Sequence, residues 1–238
     1  MAMKMMLADI PVEVLRKDIK NIHLSVYPPS GAVRISAPRA MREESIRCFA
    51  LSRLDWIRKQ QRKFGEQPRE TPREYLDRES HYIWGERRLL RIIEKNVPPS
   101  VQEQHKRLLM QVRPGSGTEK RQTLLDDWYR KELKEVLPGI IASWEKKTGV
   151  AVSEFGIKKM KTRWGTCNTE AKRIWINLEL AKKPKECLEY IVVHELAHLI
   201  EPTHNHHFVT LMNSFMPQWK HYRDMLNRLP VRHEEWEY

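Results

Sequence analysis

The chain has few cysteines, and none is arranged as a disulfide framework or a structural zinc site requires. Cys48, Cys167 and Cys187 are odd in number and form no Cys-x-x-Cys pair. A set of this kind is typical of proteins in a reducing compartment. The sequence therefore predicts a cytoplasmic protein without disulfides, in which Cys167 is a small buried residue; a fourth metal ligand and a redox role are the alternatives for Cys167.

The chain also lacks long hydrophobic runs. No apolar stretch approaches the roughly 20 residues that a bilayer-spanning helix requires. The first 20 residues include Asp9, Pro11 and Glu13 and contain no continuous apolar segment of the kind found in signal peptides. We expect neither a membrane partner nor secretion.

Acidic residues are scarce relative to basic ones, and phosphate-binding loops, internal repeats and low-complexity tracts are missing. There are 43 Lys and Arg against 31 Asp and Glu, a net charge of +12. Such a charge favours polyanions, nucleic acid among them, or acidic substrates as partners. No helix-turn-helix, RRM or zinc-finger spacing accompanies it, so a basic surface without a polyanion partner is the simpler interpretation.

The most informative residues present are His194-Glu-Leu-Ala-His198, an H-E-x-x-H pattern. Two histidines four apart lie one turn apart on the same helix face, where both imidazoles can bind one metal ion. Glu195 is rotated about 100° from His194 around the helix, from where a carboxylate can reach the water that the metal activates. Three protein ligands and one open position are typical of catalytic zinc.

The surrounding residues favour a buried helix that stops soon after the second histidine. Pro184 suits a first turn, apolar residues occupy most of the following positions, and Pro202 disfavours helical geometry at Glu201. The chain has to turn at Pro202, which allows His204 to return towards the metal.

The identity of the third ligand stays open on these grounds. Glu201 shares the rigid helix of His194 and His198, so it would lie in line with them, which suits a tetrahedral site poorly. His204 arrives after the turn and is the preferred candidate. His206, His207 and Glu201 are the alternatives.

Four segments, residues 161–167, 174–180, 194–198 and 204–208, together resemble the YgjP-like metallopeptidases, which are zincins related to the SprT-like and WLM groups. The shared pattern is a Trp-Gly-[Ser/Thr]-Cys element, a short strand, the H-E-x-x-H helix and a third histidine six residues after the second. The resemblance spans about residues 19–229. It implies a zinc hydrolase with one Zn²⁺ per chain, with His194, His198 and His204 as ligands and Glu195 as general base. Metzincins have glycine where this chain has Glu201, and no Met-turn is evident.

The expected fold class is α+β. An N-terminal segment, 1–18, precedes a β-rich region with one helix, 19–113, and a zincin-like catalytic region, 118–230, in which the active-site helix packs on a small sheet. Pro114-Gly-Ser-Gly117 marks the joint between the last two. The strand around Trp175 could lie along the cleft; if it is an edge strand, an extended peptide could add to it by backbone pairing.

The favoured function is a cytoplasmic zinc peptidase acting on a peptide or protein. A phosphoanhydride hydrolase acting on nucleotides and a nucleic-acid-associated protease are the alternatives. Candidate groups for binding substrate or stabilising an oxyanion are Arg163, His206, His207 and Tyr222.

Overall fold

The fold was analysed in a computed structural model, which describes residues 2–27, 30–66 and 70–230. The chain forms two compact units, of which the first extends to Glu70 and the second begins at Thr71. Both contain sheets and helices, so the predicted α+β class is confirmed. Among the helices described, none combines the length and apolar character that crossing a bilayer demands.

The first unit is a four-stranded sheet with two helices. Its elements are β1 (Ala2–Leu7), β2 (Ile10–Lys17), β3 (His23–Tyr27), β4 (Ala32–Pro38), α1 (Glu43–Leu51) and α2 (Leu54–Glu66). The strand order is β1-β2-β4-β3, with a parallel central pair and antiparallel outer pairs. Alternate residues of β2 and β4 face the core of this unit, as the period of two in a strand requires.

One feature of this unit differs from the sequence prediction: the single predicted helix is two helices. The Ser52 hydroxyl at their junction donates to the Phe49 carbonyl at 2.8 Å, a side-chain bond that competes with helix continuation. Residues 1–18 contribute strands β1 and β2. Strands β3 and β4 pair as a hairpin, and Pro28 and Pro29, which lie between them in the sequence, are outside the described residues.

The second unit contains seven strands and four α-helices among its described residues. They are β5 (Ser80–Ile83), β6 (Glu86–Glu94), β7 (Ser100–Gln104), β8 (Arg107–Val112), α3 (Thr118–Thr148), β9 (Glu154–Lys158), β10 (Gly165–Asn168), β11 (Arg173–Asn177), α4 (Lys185–His198), α5 (His206–Phe215) and α6 (Trp219–Arg228), with a 3-10 helix (Leu178–Lys182) before α4. Strands β5 to β8 form one sheet in the order β5-β6-β8-β7, and β9 to β11 form another.

The predicted joint at Pro114–Gly117 lies inside this unit, between β8 and α3. Leu108 and Met110 of β8 share one core with Leu125, Tyr129 and Leu133 of α3, so the two sides of the joint are packed together. Helix α3 continues through Pro138 and ends at Gly149, where φ is +74°. A left-handed residue of this kind is the common helix terminator, and glycine adopts it without strain.

The three-stranded sheet has the order β10-β11-β9. β11 is central, antiparallel to β10 and parallel to β9, so the Trp175 strand is not an edge strand and the condition for adding a peptide to it is not met. Strand β10, which carries Gly165-Thr-Cys167, is the edge strand of this sheet on the side of helix α4. Helix α4 packs on β10 and β11, the arrangement of helix on small sheet that the sequence predicted.

Candidate active site

Helix α4 carries the H-E-x-x-H residues on a buried scaffold. Pro184 is its N-cap residue, and nine of its fourteen residues are buried. Gly85 supports the start of the helix from β5–β6: a β-carbon there would lie 2.9 Å from Pro184 Cγ. The helix is therefore fixed from several sides, which holds His194, Glu195 and His198 in defined positions.

The structure brings His194, His198 and His204 together. One potential ligand atom from each lies within 4.8 Å of the others, and the Nε2 atoms of His194 and His204 are 3.0 Å apart. Three nitrogens bound tetrahedrally at 2.0–2.1 Å would be separated by roughly 3.3 Å. Small movements of the imidazoles would thus bring all three nitrogens to one metal ion.

The turn after α4 returns His204 to this group. The helix ends at His198, and His198 Nδ1 lies 3.1 Å from the Glu201 carbonyl oxygen. Donation from Nδ1–H to that carbonyl leaves the Nε2 lone pair for a metal, which is how ligating histidines are usually oriented. The Glu201 carboxylate accepts from the Thr203 backbone N–H at 3.1 Å and from its hydroxyl at 2.8 Å.

These hydrogen bonds, first of all the one from the Thr203 hydroxyl, lower the pKa of Glu201 to about 2. Glu201 is ionised and organises the turn, and it is not among the residues whose ligand atoms converge. The next residue after His204, Asn205, caps α5 by accepting from the Phe208 N–H at 3.0 Å.

Phe208 is the common support of the three imidazoles, and sequence reasoning did not identify it. Its ring centroid lies 5.0 Å from that of His194 and 4.7 Å from those of His198 and His204. The side chain is 2% exposed. A rigid apolar ring in this position restricts the rotamers of all three histidines.

The electrostatic setting keeps the imidazoles of His194 and His198 neutral. Burial, followed by the neighbouring His198 and His204, lowers the pKa of His194 to about 3, and burial also lowers the pKa of His198. Neutral imidazole is the form that binds metal. The donor set, its convergence and its protonation state all fit a divalent metal ion.

Glu195 lies beside this group, 4% exposed, with its carboxylate against the backbone of β10. A β-carbon on Gly165 would lie 2.5 Å from Glu195 Oε1. Burial raises the pKa of Glu195 to about 8, and the Arg163 guanidinium acts in the opposite direction. A cation held by the adjacent imidazoles would also lower it.

A cleft of about 630 Å³ opens over these residues. Its walls are strand β10 with the residues before it, helix α4 and the turn after α4; the lining residues are Arg163, Trp164, Gly165, Thr166, Cys167, Thr169, Tyr190, Ile191, His194, Glu195, His198, Pro202 and His204. Tyr190, one turn before His194, lines the cleft. Like Phe208, it was not identified by sequence reasoning. Its ring contacts His194 edge-on at 5.9 Å and stacks on Trp219 at 6.4 Å.

Arg163 is the one of the four suggested substrate groups that lines the cleft. His206 and His207 are exposed in the first turn of α5. Tyr222, on α6, donates to Gln218 Oε1 at 3.1 Å. The structure therefore separates these three residues from the cleft walls.

Asn177 fixes the segment before β10. This side chain is 3% exposed, and its Nδ2 donates to the carbonyls of Met160 and Arg163 at 2.9 and 2.7 Å. The Asn177 backbone N–H donates to the Trp164 carbonyl at 2.9 Å. The backbone that carries Arg163 into the cleft is thus tied to the end of β11.

Cys167 lies two residues after Gly165 on β10 and therefore shares its sheet face. Its thiol is partly buried against the core, and burial, with a contribution from Glu195, raises the pKa to about 11. Cys167 is not one of the converging ligand residues.

Comparison with known proteins gave one family and similarities to solved structures, among them the two that follow. The family model described as YgjP-like, metallopeptidase domain, matches residues 20–229. No curated protein matches the chain.

The two structures are metallopeptidase zymogens. The crystal structure of Pyrococcus abyssi abylysin has a TM-score of 0.36 and 19% identity, over 41% of this chain and 100% of that chain. The crystal structure of Methanocaldococcus jannaschii jannalysin has a TM-score of 0.33 and 20% identity, over 37% of this chain and 91% of that chain. Both similarities cover less than half of the present chain.

Proposed function

Because this chain belongs to the YgjP-like metallopeptidase domain family, we propose that it is a zinc-dependent peptidase with Glu195 as its general base. The observation that carries the proposal is the convergence of His194, His198 and His204 beside the buried Glu195 carboxylate. The family implies a divalent metal. Three converging imidazoles with room for one ion favour one zinc per chain.

Zinc bound by three imidazoles lowers the pKa of a coordinated water and polarises a substrate carbonyl. The chain's own residues supply the remaining functions. Glu195 takes a proton from the attacking water and transfers it to the leaving amine. Gly165, by having no side chain, leaves the carboxylate its place beside β10.

The unpaired edge of β10 supports an extended peptide as substrate. β10 pairs with β11 on one side, and no strand of the described residues pairs with its other side. An extended chain can add to such an edge through backbone hydrogen bonds. A peptide bound there would pass in front of Gly165 and Glu195.

The direct test is hydrolysis of a mixed-sequence peptide library by the zinc-loaded protein, followed by mass spectrometry. We expect defined cleavage products from the wild type and from His206→Ala, an exposed histidine outside the converging group, and none from His204→Ala. A zinc-loaded wild type that cleaves no peptide would refute the peptidase proposal.

Phosphoanhydride hydrolysis is the second candidate, because the Arg163 guanidinium in the cleft would bind a phosphate as well as a carboxylate. Release of inorganic phosphate or pyrophosphate from nucleoside triphosphates by the zinc-loaded protein, with loss in Glu195→Gln, would favour it over peptide hydrolysis.

A third candidate, association with single-stranded nucleic acid, rests on a groove in the first unit. Trp56 is 43% exposed there, and no acidic residue lines the groove. The lining residues are Ile22, His23, Leu24, Ser25, Phe49, Arg53 and Trp56. Aromatic stacking and basic charge together are typical of single-strand binding. Affinity for an oligonucleotide that falls steeply with salt and is lost in Trp56→Ala would support it.

We also propose a cytoplasmic location, which is supported by the free cysteines Cys48, Cys167 and Cys187. Fractionation of cells that express the full chain would test it.

A further inference from the structure

The backbone at Arg163 is held beside the cleft by hydrogen bonds from Asn177. The carbonyl of Arg163 accepts from Asn177 Nδ2 at 2.7 Å, and the next carbonyl, of Trp164, accepts from the Asn177 N–H at 2.9 Å. A backbone held in this way loses little conformational freedom on binding. The exposed Arg163 side chain therefore starts from a fixed point at the border of the cleft.

Basic residues close to Arg163 in sequence have partners. Lys159 pairs with Asp126, Lys158 lies 4.6 Å from the Trp175 ring centroid, and Arg173 is 2.6 Å from Glu154. For Arg163, by contrast, no ion pair is found with any described residue. Its guanidinium lies near enough to Glu195 to lower the pKa of that carboxyl, but the two side chains do not form an ion pair.

The residues that line the cleft supply no carboxylate that forms an ion pair with Arg163. Of the described residues that line it, Glu195 is the only acidic one, and its carboxylate is directed to Gly165 and lies beside the three histidines. A guanidinium at the border of a cleft without a protein carboxylate to pair with is the arrangement that binds an anionic group of a ligand.

From this geometry we propose that Arg163 is a specificity-determining residue, which selects peptides carrying a carboxylate close to the cleaved bond. The inference rests on the proposed peptidase function and adds the substrate class. The carboxylate belongs either to an Asp or Glu side chain or to the C-terminus of the peptide.

The distance along the chain limits where that carboxylate can be. Arg163 and Gly165 are two residues apart, which separates their α-carbons by at most roughly 7 Å. Gly165 touches Glu195, which acts at the cleaved bond. The carboxylate should therefore lie within about two residues of that bond.

The test uses fluorogenic peptides that differ only in Glu or Gln at each of the two positions on either side of the bond, and in a C-terminal acid or amide. For zinc-loaded wild type we expect kcat/KM to be about tenfold or more higher for one carboxylate-bearing peptide than for its neutral partner, the range of a charge-assisted hydrogen bond. Arg163→Gln should remove this preference by raising KM for the carboxylate-bearing peptide, so that the two peptides have the same kcat/KM.

The matched control is Arg113→Gln, which removes the same charge from an exposed arginine outside the cleft. It should keep the preference for the carboxylate. The pattern of preference identifies the source of the carboxylate: a side chain if a Glu–Gln pair differs, a chain terminus if the acid–amide pair differs.

A second readout does not depend on turnover. Fluorescence anisotropy with the Glu195→Gln variant should show tighter binding of the same carboxylate-bearing peptide, and the difference should vanish in Glu195→Gln/Arg163→Gln. Equal binding of the charged and neutral peptides would overturn the inference.

The two readouts separate this inference from the proposed function. Cleavage without a preference for carboxylate refutes the inference and leaves the peptidase standing. Arg163-dependent binding without any cleavage by the zinc-loaded wild type refutes the peptidase and leaves the anion site standing.

Discussion

The Glu195 carboxylate occupies the space that a side chain on residue 165 would need. An ideal β-carbon on Gly165 would lie 2.5 Å from Glu195 Oε1 and 2.9 Å from both Cδ and Cγ. Gly165 is not in the left-handed region, so the requirement for glycine comes from this close contact. The Trp-Gly-Thr-Cys element and the H-E-x-x-H helix thus contact each other through Gly165 and Glu195.

Replacing Gly165 by alanine should displace the Glu195 carboxylate without unfolding the protein. Misplacement of a catalytic group by about 1 Å can lower the rate roughly 100-fold, so we expect kcat/KM for peptide hydrolysis to fall by about that factor. Zinc content, measured by mass spectrometry, should stay at the wild-type level because the three atoms nearest to a β-carbon on Gly165 all belong to Glu195.

Gly139→Ala is the matched control. Gly139 lies on the exposed side of α3, and a β-carbon there meets nothing within 4 Å. Removing a helical glycine should stabilise the protein by roughly 0.5–1 kcal/mol and leave activity unchanged. A Gly165→Ala enzyme as active as Gly139→Ala would contradict the proposed position of the base.

Phe208 should determine how well the three imidazoles are held. Phe208→Ala removes a fully buried ring and is expected to cost about 3–5 kcal/mol in unfolding free energy. Phe208→Leu should fold but bind zinc on the order of tenfold more weakly, since residues that orient metal ligands have effects of this size. Chelator competition measures the affinity.

Met212→Leu, a buried substitution one turn further along α5, serves as the comparison and should cost less than about 1.5 kcal/mol with unchanged zinc affinity. Unaltered zinc binding in Phe208→Leu would show that the ring only fills space.

The role of Phe208 shows where sequence reasoning ends. His194 and His198 could be placed on one helix face because four-residue spacing fixes their relation. The turn at Pro202 predicted the return of His204, which the structure brings to the same point. Contacts between a histidine and an aromatic ring from the next helix depend on packing, which spacing along the chain does not encode.

Zinc should stabilise the folded protein through His204. At a free zinc concentration 100 times the dissociation constant, binding contributes about 2.7 kcal/mol, visible as a rise in the melting temperature. His204→Ala should lose this rise at the same zinc concentration, and His206→Ala should keep it. The reverse pattern would assign the third ligand to His206.

Cys167 is expected to contribute packing only. Cys167→Ala should keep zinc content and alter peptide turnover by no more than about twofold, with a stability cost of about 1 kcal/mol, the typical size for a small substitution. Loss of zinc from Cys167→Ala would contradict this expectation, because it would show that the thiol is a metal ligand.

Strand assignments show the same limit of sequence reasoning. The strand β11, Arg173–Asn177, was expected from its residues, but its central position in the sheet was not. Alternation of apolar and polar residues along a strand does not reveal which strands lie beside it. β10 has four residues, Gly165–Asn168, too few for a period-two pattern. Asn177 was read as the end of a strand, and its buried bonds to Met160 and Arg163 join segments 14 to 17 residues apart in the chain.

The central claim is that Glu195 moves the proton in a reaction whose metal is held by the three histidines. The measurement that tests it most directly is zinc content and peptide turnover of Glu195→Gln, determined on the same preparation. The account predicts zinc bound at the wild-type level with turnover reduced by about 10²–10⁴-fold, the contribution of a general acid–base group. Hydrolysis at the wild-type rate by zinc-loaded Glu195→Gln would contradict it.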